Sequence, residues 1–128
     1  MNVPNDLLYT EEHEWVRKES DDTVVIGITA FAAEQLGAVV YVELPAEGDA
    51  VAKGDSVGQV ESTKSVSDIY APLSGTVLEV NSALEDAPEQ INAGPYEDGW
   101  LFKLRLESPA ELEELMPGQA YADHIADD

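Results

Sequence analysis

Cysteine is absent from this chain of 128 residues. That excludes a disulfide scaffold, a thiolate-held zinc or iron–sulfur centre, and a cysteine nucleophile. Imidazole is scarce as well. His13 and His124 lie at opposite ends of the sequence, and no His-Glu-x-x-His motif pairs two of them for a metal. Positive charge is the third shortage: 6 Lys plus Arg face 27 Asp plus Glu, for a formal net charge of −21 and a pI near 4.1. Such a field repels phosphate backbones and anionic lipid, which argues against nucleic-acid binding and membrane-surface docking. No run approaches the roughly 20 apolar residues that span a bilayer. The residues from Met1 to Asp6 lack a basic region, an apolar h-region and an Arg-rich amphipathic pattern. Neither a signal nor a transit peptide is therefore expected, and the expected compartment is the cytoplasm. A Gly-x-Ser-x-Gly elbow and a Gly-rich phosphate loop are missing too, so an enzyme acting alone is disfavoured.

What remains is enough for one fold. Hydrophobic residues make up 44% of the chain, which suits one modest core and a single domain over residues 1–128. The acids are spread along the whole sequence rather than gathered in a tail. Adaptation to high salt explains that pattern, and so does docking on basic partners. Carboxylate pairs such as Glu11-Glu12 and Glu113-Glu114 read as solvated faces, because nothing beside them in sequence would tune a pKa.

The apolar pattern predicts many short strands. Val24-Val25-Ile26-Gly27-Ile28 is a buried strand, and Thr29 caps a short helix over residues 30–36 that Gly37 ends. Val39 to Leu44 is a second strand, stopped by Pro45. Turns at Gly48, Gly54 and Gly75 then separate strands over 57–61, 66–70 and 76–80. Pro45-Ala46-Glu47-Gly48 and Pro72-Leu73-Ser74-Gly75 are similar turns, as a barrel of two related halves would have. In the last strand Trp100, Phe102, Leu104 and Leu106 alternate with Lys103 and Arg105. Ser108-Pro109-Ala110-Glu111 reads as a capping box opening a helix that Pro117-Gly118 breaks, with a final helix through Tyr121 and Ile125. The core is expected over about residues 8–106 and the C-terminal helices over about 109–125. The architecture is a mainly β barrel or sandwich with helical trimmings.

One lysine stands apart. Glu61-Ser62-Thr63-Lys64-Ser65 sets a single cation among small polar residues, with Val57 and Val60 before it and Val66 and Ile69 after it. The flanks form two arms of a hairpin with Lys64 near the tip. By itself such a residue reads most simply as an ordinary turn lysine. The functional reading is an exposed amine offered for covalent modification, through which a cofactor arm would supply the reactivity the chain lacks.

The segment Glu61-Ser62-Thr63-Lys64-Ser65-Val66-Ser67-Asp68-Ile69-Tyr70-Ala71-Pro72, followed by Gly75, resembles the lipoyl-lysine segment of the glycine cleavage system H proteins. Tyr9-Thr10-Glu11-Glu12-His13-Glu14-Trp15-Val16-Arg17 resembles the N-terminal signature of that family. Val40-Tyr41-Val42-Glu43-Leu44-Pro45, Ile91-Asn92, Pro95-Tyr96 and Gly99-Trp100-Leu101-Phe102 follow in the family's order. The resemblance runs from about Leu8 to Tyr121. Departures are small: Thr63 stands where Val is common and Ser65 where Ala is, while the acidity is unusual.

The resemblance implies a lipoyl/biotinyl-type barrel-sandwich hybrid with lipoate in amide linkage on Lys64, in the context of Glu61, Ser62, Thr63 and Ser65. It implies a non-catalytic carrier in glycine catabolism and one-carbon metabolism. Such a carrier accepts an aminomethyl group from glycine decarboxylase (P-protein) and presents it to the aminomethyltransferase (T-protein), which uses tetrahydrofolate. Lipoamide dehydrogenase (L-protein) then reoxidises it. Lipoate-attaching enzymes are further partners, Glu61 is a candidate for their recognition, and a monomer is expected. Glu12, His13, Glu14 and Asp68 match positions that hold the loaded arm in a cleft, with Glu14 and Asp68 suited to a cationic amine. His13 reads equally as a histidine packed beside Trp15, and the tryptophans Trp15 and Trp100 read as core. A lipoyl-relay donor to 2-oxoacid dehydrogenase complexes and an unmodified H-like interaction protein are the alternative readings.

Overall fold

The computed structural model describes residues 3–126. Two antiparallel sheets hold the chain. The larger is built from β1 (Leu8–Tyr9), β2 (Glu14–Lys18), β3 (Thr23–Ile28), β5 (Ala50–Val51), β8 (Gly75–Val80), β9 (Phe102–Leu106) and β10 (Met116–Pro117), in the order β10-β1-β2-β3-β9-β8-β5. The smaller contains β4 (Val39–Glu43), β6 (Ser56–Ser62) and β7 (Val66–Tyr70), in the order β4-β6-β7. The helices are short: α1 (Ala30–Leu36), α2 (Gln90–Ala93) and α3 (Gly118–Ala126). This is the mainly β architecture with short helices that the sequence predicts, with two open sheets rather than one closed barrel. No helix of the described residues is long and apolar enough to cross a membrane.

The run Val24 to Ile28 does not alternate with polar residues because both faces of its strand are covered. Val24, Ile26 and Ile28 turn inward with Val16, Phe102 and Leu104 and meet Val42, Val60 and Ile69 of the smaller sheet. Val25 turns outward into a second cluster with Tyr9, Trp15 and Tyr121. A sheet buried on two sides reads in sequence as a continuous apolar run. Gly27 opposes Trp15 across β2 and β3. A Cβ there would lie 2.6 Å from the indole ring. The absent side chain is therefore the space the tryptophan occupies, and the indole Nε1 donates to the Pro95 carbonyl at 2.8 Å.

Helix α1 has only 7 residues, too few to be stable by propensity, so its ends are held by other parts of the chain. Thr29 Oγ1 accepts from Ala32 N at 3.2 Å, and Tyr96 Oη accepts from Ala30 N at 3.0 Å. At its C-terminus Gly37 adopts φ 84° and ψ −161°. That is the mirror image of extended backbone, open to glycine and strained for other residues. The turns Ala46-Glu47-Gly48-Asp49 and Ala52-Lys53-Gly54-Asp55 are copies of one another. In each the Asp carboxylate accepts from the Ala amide, at 3.1 and 3.0 Å, and the Gly has φ 92°.

The C-terminal region departs from expectation. Ser108 makes no side-chain cap, and residues Pro109–Glu114 form a 3-10 helix. The Glu111 carboxylate that would complete the box accepts instead from Ser74 N at 2.8 Å and Ser74 Oγ at 3.2 Å. Met116 and Pro117 do not merely end a helix, since they pair with Tyr9 and Leu8 as an edge strand. Trp100 lies outside β9 and is half-exposed, with the Lys103 ammonium 5.6 Å above its ring, so alternation begins at Phe102.

Charge is distributed unevenly. The register Arg17–Val25–Lys103 and Thr23–Arg105 puts Arg17, Lys103 and Arg105 on the outer face of the larger sheet, while β4, β6 and β7 contain no Lys or Arg. Among the described residues Lys53 pairs with Glu114 and Lys103 with Glu19 and Glu79, leaving most acids without a cation. Raising salt from about 0.05 to about 1 M screens that repulsion, so the melting temperature is expected to rise. A flat calorimetric series would show that the acids do not oppose folding. Gly27→Ala is expected to destabilise the chain by about 2–3 kcal/mol through overpacking against Trp15, to be measured by urea denaturation.

Candidate functional site

Three elements far apart in sequence meet at one edge of the core: the turn before β2, helix α1 and the β6–β7 hairpin. Between them lies a cleft of about 530 Å³ walled by Phe31, Leu36, Val60 and Ile69, with Glu14 and Asp68 supplying carboxylates.

Lys64 stands at the hairpin tip, beside the cleft wall that begins at Ser65. The turn is closed by Ser62 N donating to Ser65 O at 2.8 Å. The Ser62 hydroxyl accepts from Lys64 N at 3.2 Å and Ser65 N at 3.1 Å. Thr63 N donates to the Ala38 carbonyl at 3.1 Å, which ties the tip to the link between α1 and β4. That link is pinned in turn by Asn92, whose Oδ1 accepts from Val39 N and whose Nδ2 donates to Gly37 O, both at 2.9 Å. The backbone around Lys64 is thus held from several sides, and its side chain remains exposed. Among the described residues its ammonium makes no ion pair or hydrogen bond, unlike those of Lys53 and Lys103. The stem of the lysine lies along Gly37, where a Cβ would come within 3.1 Å of Lys64 Cε. Thr63 and Ser65 are exposed, small neighbours, and Glu61 is half-buried on β6.

Glu14 is 2% exposed, so it is not the edge-strand solvent charge that its acidic neighbours Glu11 and Glu12 suggest. Its place on β2 puts it on the inward face with Val16, opposite Ile28. Thr10 Oγ1 donates to its Oε1 at 2.7 Å, and Tyr70 N donates to its Oε2 at 3.3 Å. Burial pushes its pKa up to about 7, partly opposed by those two donors and reinforced slightly by the nearby charge of Glu12. Asp68 is exposed at the cleft mouth, where Gln59 Nε2 donates to it at 3.1 Å. Glu12 lines the cleft but is exposed.

His13 is neither purely packed nor purely a cleft group. It has φ 71°, rare for a residue with a side chain. Its Nδ1 lies 2.8 Å from Tyr121 Oη, and its ring stands 4.9 Å from that of Phe31. The same Tyr121 hydroxyl is 2.7 Å from Thr29 Oγ1, the cap of α1, while its ring stacks on Tyr9 at 4.5 Å. Helix α3 therefore braces both His13 and the start of α1. Trp15 is core and takes no part in the cleft. The sequence reading missed Thr10, Tyr70, Phe31 and Tyr121 as supports. Only Thr10, four residues before Glu14, carried a local signal.

The sequence profile described as "Glycine cleavage H-protein" matches residues 7–128. Among curated proteins, the glycine cleavage system H protein of Laribacter hongkongensis is 52% identical over 97% of this chain and 98% of its own. That of Anaeromyxobacter sp. (strain K) is 56% identical over 94% of each chain. The crystal structure of a glycine cleavage system H protein from Mycobacterium marinum superposes with a TM-score of 0.88 at 41% identity, covering 97% of this chain and 99% of that one. With its core, hairpin and cleft arranged as described, this chain belongs to the glycine cleavage H-protein family.

Proposed function

We propose that the chain acts as one lipoyl-carrier domain of the glycine cleavage system, with lipoate in amide linkage on Lys64 Nζ. The observation that carries this reading is the amine itself: exposed, without a partner among the described residues, and set on a fixed backbone beside a cleft. The site suits a long acyl arm. The apolar walls of Phe31, Leu36 and Val60 offer cover to a hydrocarbon chain, and the carboxylates lie beyond them. When bound, the group supplies a disulfide that takes an aminomethyl unit from the P-protein, yields it to the T-protein and is reoxidised by the L-protein. The protein catalyses none of these steps.

Its own residues hold and shield. Ser62 and Ala38 fix the origin of the arm. Glu14 and Asp68 offer negative charge to an incoming ammonium, and an ion pair formed inside the cleft offsets the desolvation that raises the Glu14 pKa. Thr10 and Tyr70 keep Glu14 aimed, while His13, braced by Tyr121, closes one side.

Intact mass and peptide mapping of protein from its own host are expected to find a lipoyl-sized adduct confined to Lys64 and absent in Lys64→Arg. Unmodified protein from a lipoate-competent host would overturn the reading. In a reconstitution with P-protein and glycine labelled at its methylene carbon, Lys64→Arg is expected to take up no label. Glu14→Gln should be loaded but lose label to solvent about tenfold faster, the scale of one charge-assisted hydrogen bond.

Glu14 also makes stability depend on pH. Its folded pKa of about 7 lies above the ordinary 4.5, so the folded state binds this proton more tightly than the unfolded chain. The contribution is most favourable below pH 4.5 and is lost as pH rises through about 7, by about 3 kcal/mol in all. Urea melts between those limits should show this loss in the wild type and not in Glu14→Gln, the difference between the two chains isolating the one carboxyl.

A further inference from the structure

The large apolar side chains left exposed among the described residues are Val40, Tyr41 and Val66, at 54%, 52% and 58%. All lie on the smaller sheet, at the end that carries Lys64. The register pairs Tyr41 with Glu61 and Glu61 with Val66, so these three residues form one row across β4, β6 and β7, with Val66, on the edge strand, also lining the cleft. Val40 joins the row because a bulge between Val39 and Tyr41 leaves it unpaired in the ladder. The row behind it is Glu43, Gln59 and Asp68, polar and doubly acidic, with Asp68, on the edge strand, also reaching the cleft mouth. The inward row between them, Val42, Val60 and Ser67, contributes two buried valines to the core. Core packing therefore does not account for the outer strip. Single exposed apolar residues are ordinary; a strip of three around one carboxylate, next to the modifiable amine, has the composition of a contact surface.

We propose that Val40, Tyr41, Glu61 and Val66 form the docking strip for the enzyme that acylates Lys64, which meets it with an apolar surface rimmed by Lys and Arg. This rests on the reading of Lys64 as the attachment point. Two observations bear on the occupant. The strip adjoins the hairpin tip, so a catalyst that reaches the Lys64 amine from this side covers it. The whole sheet lacks Lys and Arg while presenting Glu43, Glu61 and Asp68, and its charge complement is a basic surface. In the step served, the Lys64 amine attacks the acyl carbon of an enzyme-held lipoyl-adenylate. The amide C–N bond forms, the C–O bond to AMP breaks, AMP leaves with that electron pair, and the ammonium proton passes to solvent.

The strip acts on binding and the amine on chemistry, so the two can be separated. With an ATP-dependent lipoate–protein ligase and free lipoate, the triple variant Val40→Ser/Tyr41→Ser/Val66→Ser should raise KM for the carrier about tenfold or more, with kcat changed less than about twofold. Glu107→Gln, an exposed acid outside the smaller sheet, should leave KM unchanged. Lys64→Arg cannot be acylated but keeps the strip, so it should inhibit competitively with Ki near the wild-type KM. Adding the triple substitution to Lys64→Arg should weaken that inhibition about tenfold, a readout independent of any modified product. Circular dichroism and melting curves check that the variants fold. An unchanged KM in a folded triple variant, or equal inhibition by the two Lys64→Arg proteins, overturns the strip and leaves Lys64 as attachment point. Failure of the folded wild type to be acylated overturns both.

Discussion

A carrier must hold one amine in a fixed place without holding the amine itself. Among the described residues Lys64 Nζ makes no salt bridge or hydrogen bond, so its position is set through backbone. The chain does this with the Thr63 amide on the Ala38 carbonyl and with the Ser62 hydroxyl, which accepts from two successive amides of the turn. The remaining supports follow from that requirement. Ala38 is useful as an anchor because Asn92 clamps the residues on either side of it, and because α1, just before it, is capped by Thr29 and Tyr96. The double-faced sheet under Trp15 and Tyr121 supplies the rigid base to which those caps are tied.

Glu14 is a second constraint of the same kind, with the sign reversed. A carboxyl taken out of water opposes folding when ionised, and among the described residues two donors reach it. The donors are enough to orient the group and too few to satisfy a full charge. A site left short of positive charge in this way favours a cation that arrives from outside.

Local patterns made much of the fold legible. Strand β3, the Thr29 and Gly37 caps of α1 and the β6–β7 hairpin with Lys64 at its tip are all encoded within a dozen neighbouring residues. The parity of Glu14 with Val16 even places it on the inward face, although neighbouring acids hide its burial. What stayed hidden depends on partners far along the chain. Glu111 leaves its capping box because Ser74 offers two donors, and Met116-Pro117 becomes a strand because Leu8-Tyr9 has a free edge. His13 meets Tyr121 across 108 positions, a contact no local rule can reach.

The segregation of charge has a consequence for motion before contact. The cations Arg17, Lys103 and Arg105 crowd the outer face of the larger sheet, while the smaller sheet, on the other side of the core, carries acids and no Lys or Arg. The two faces of the core therefore present different charge to an approaching surface. In the field of a positively charged surface it experiences a torque as well as a pull. Rotational diffusion is thereby biased toward approaches that turn Arg17, Lys103 and Arg105 away from that surface.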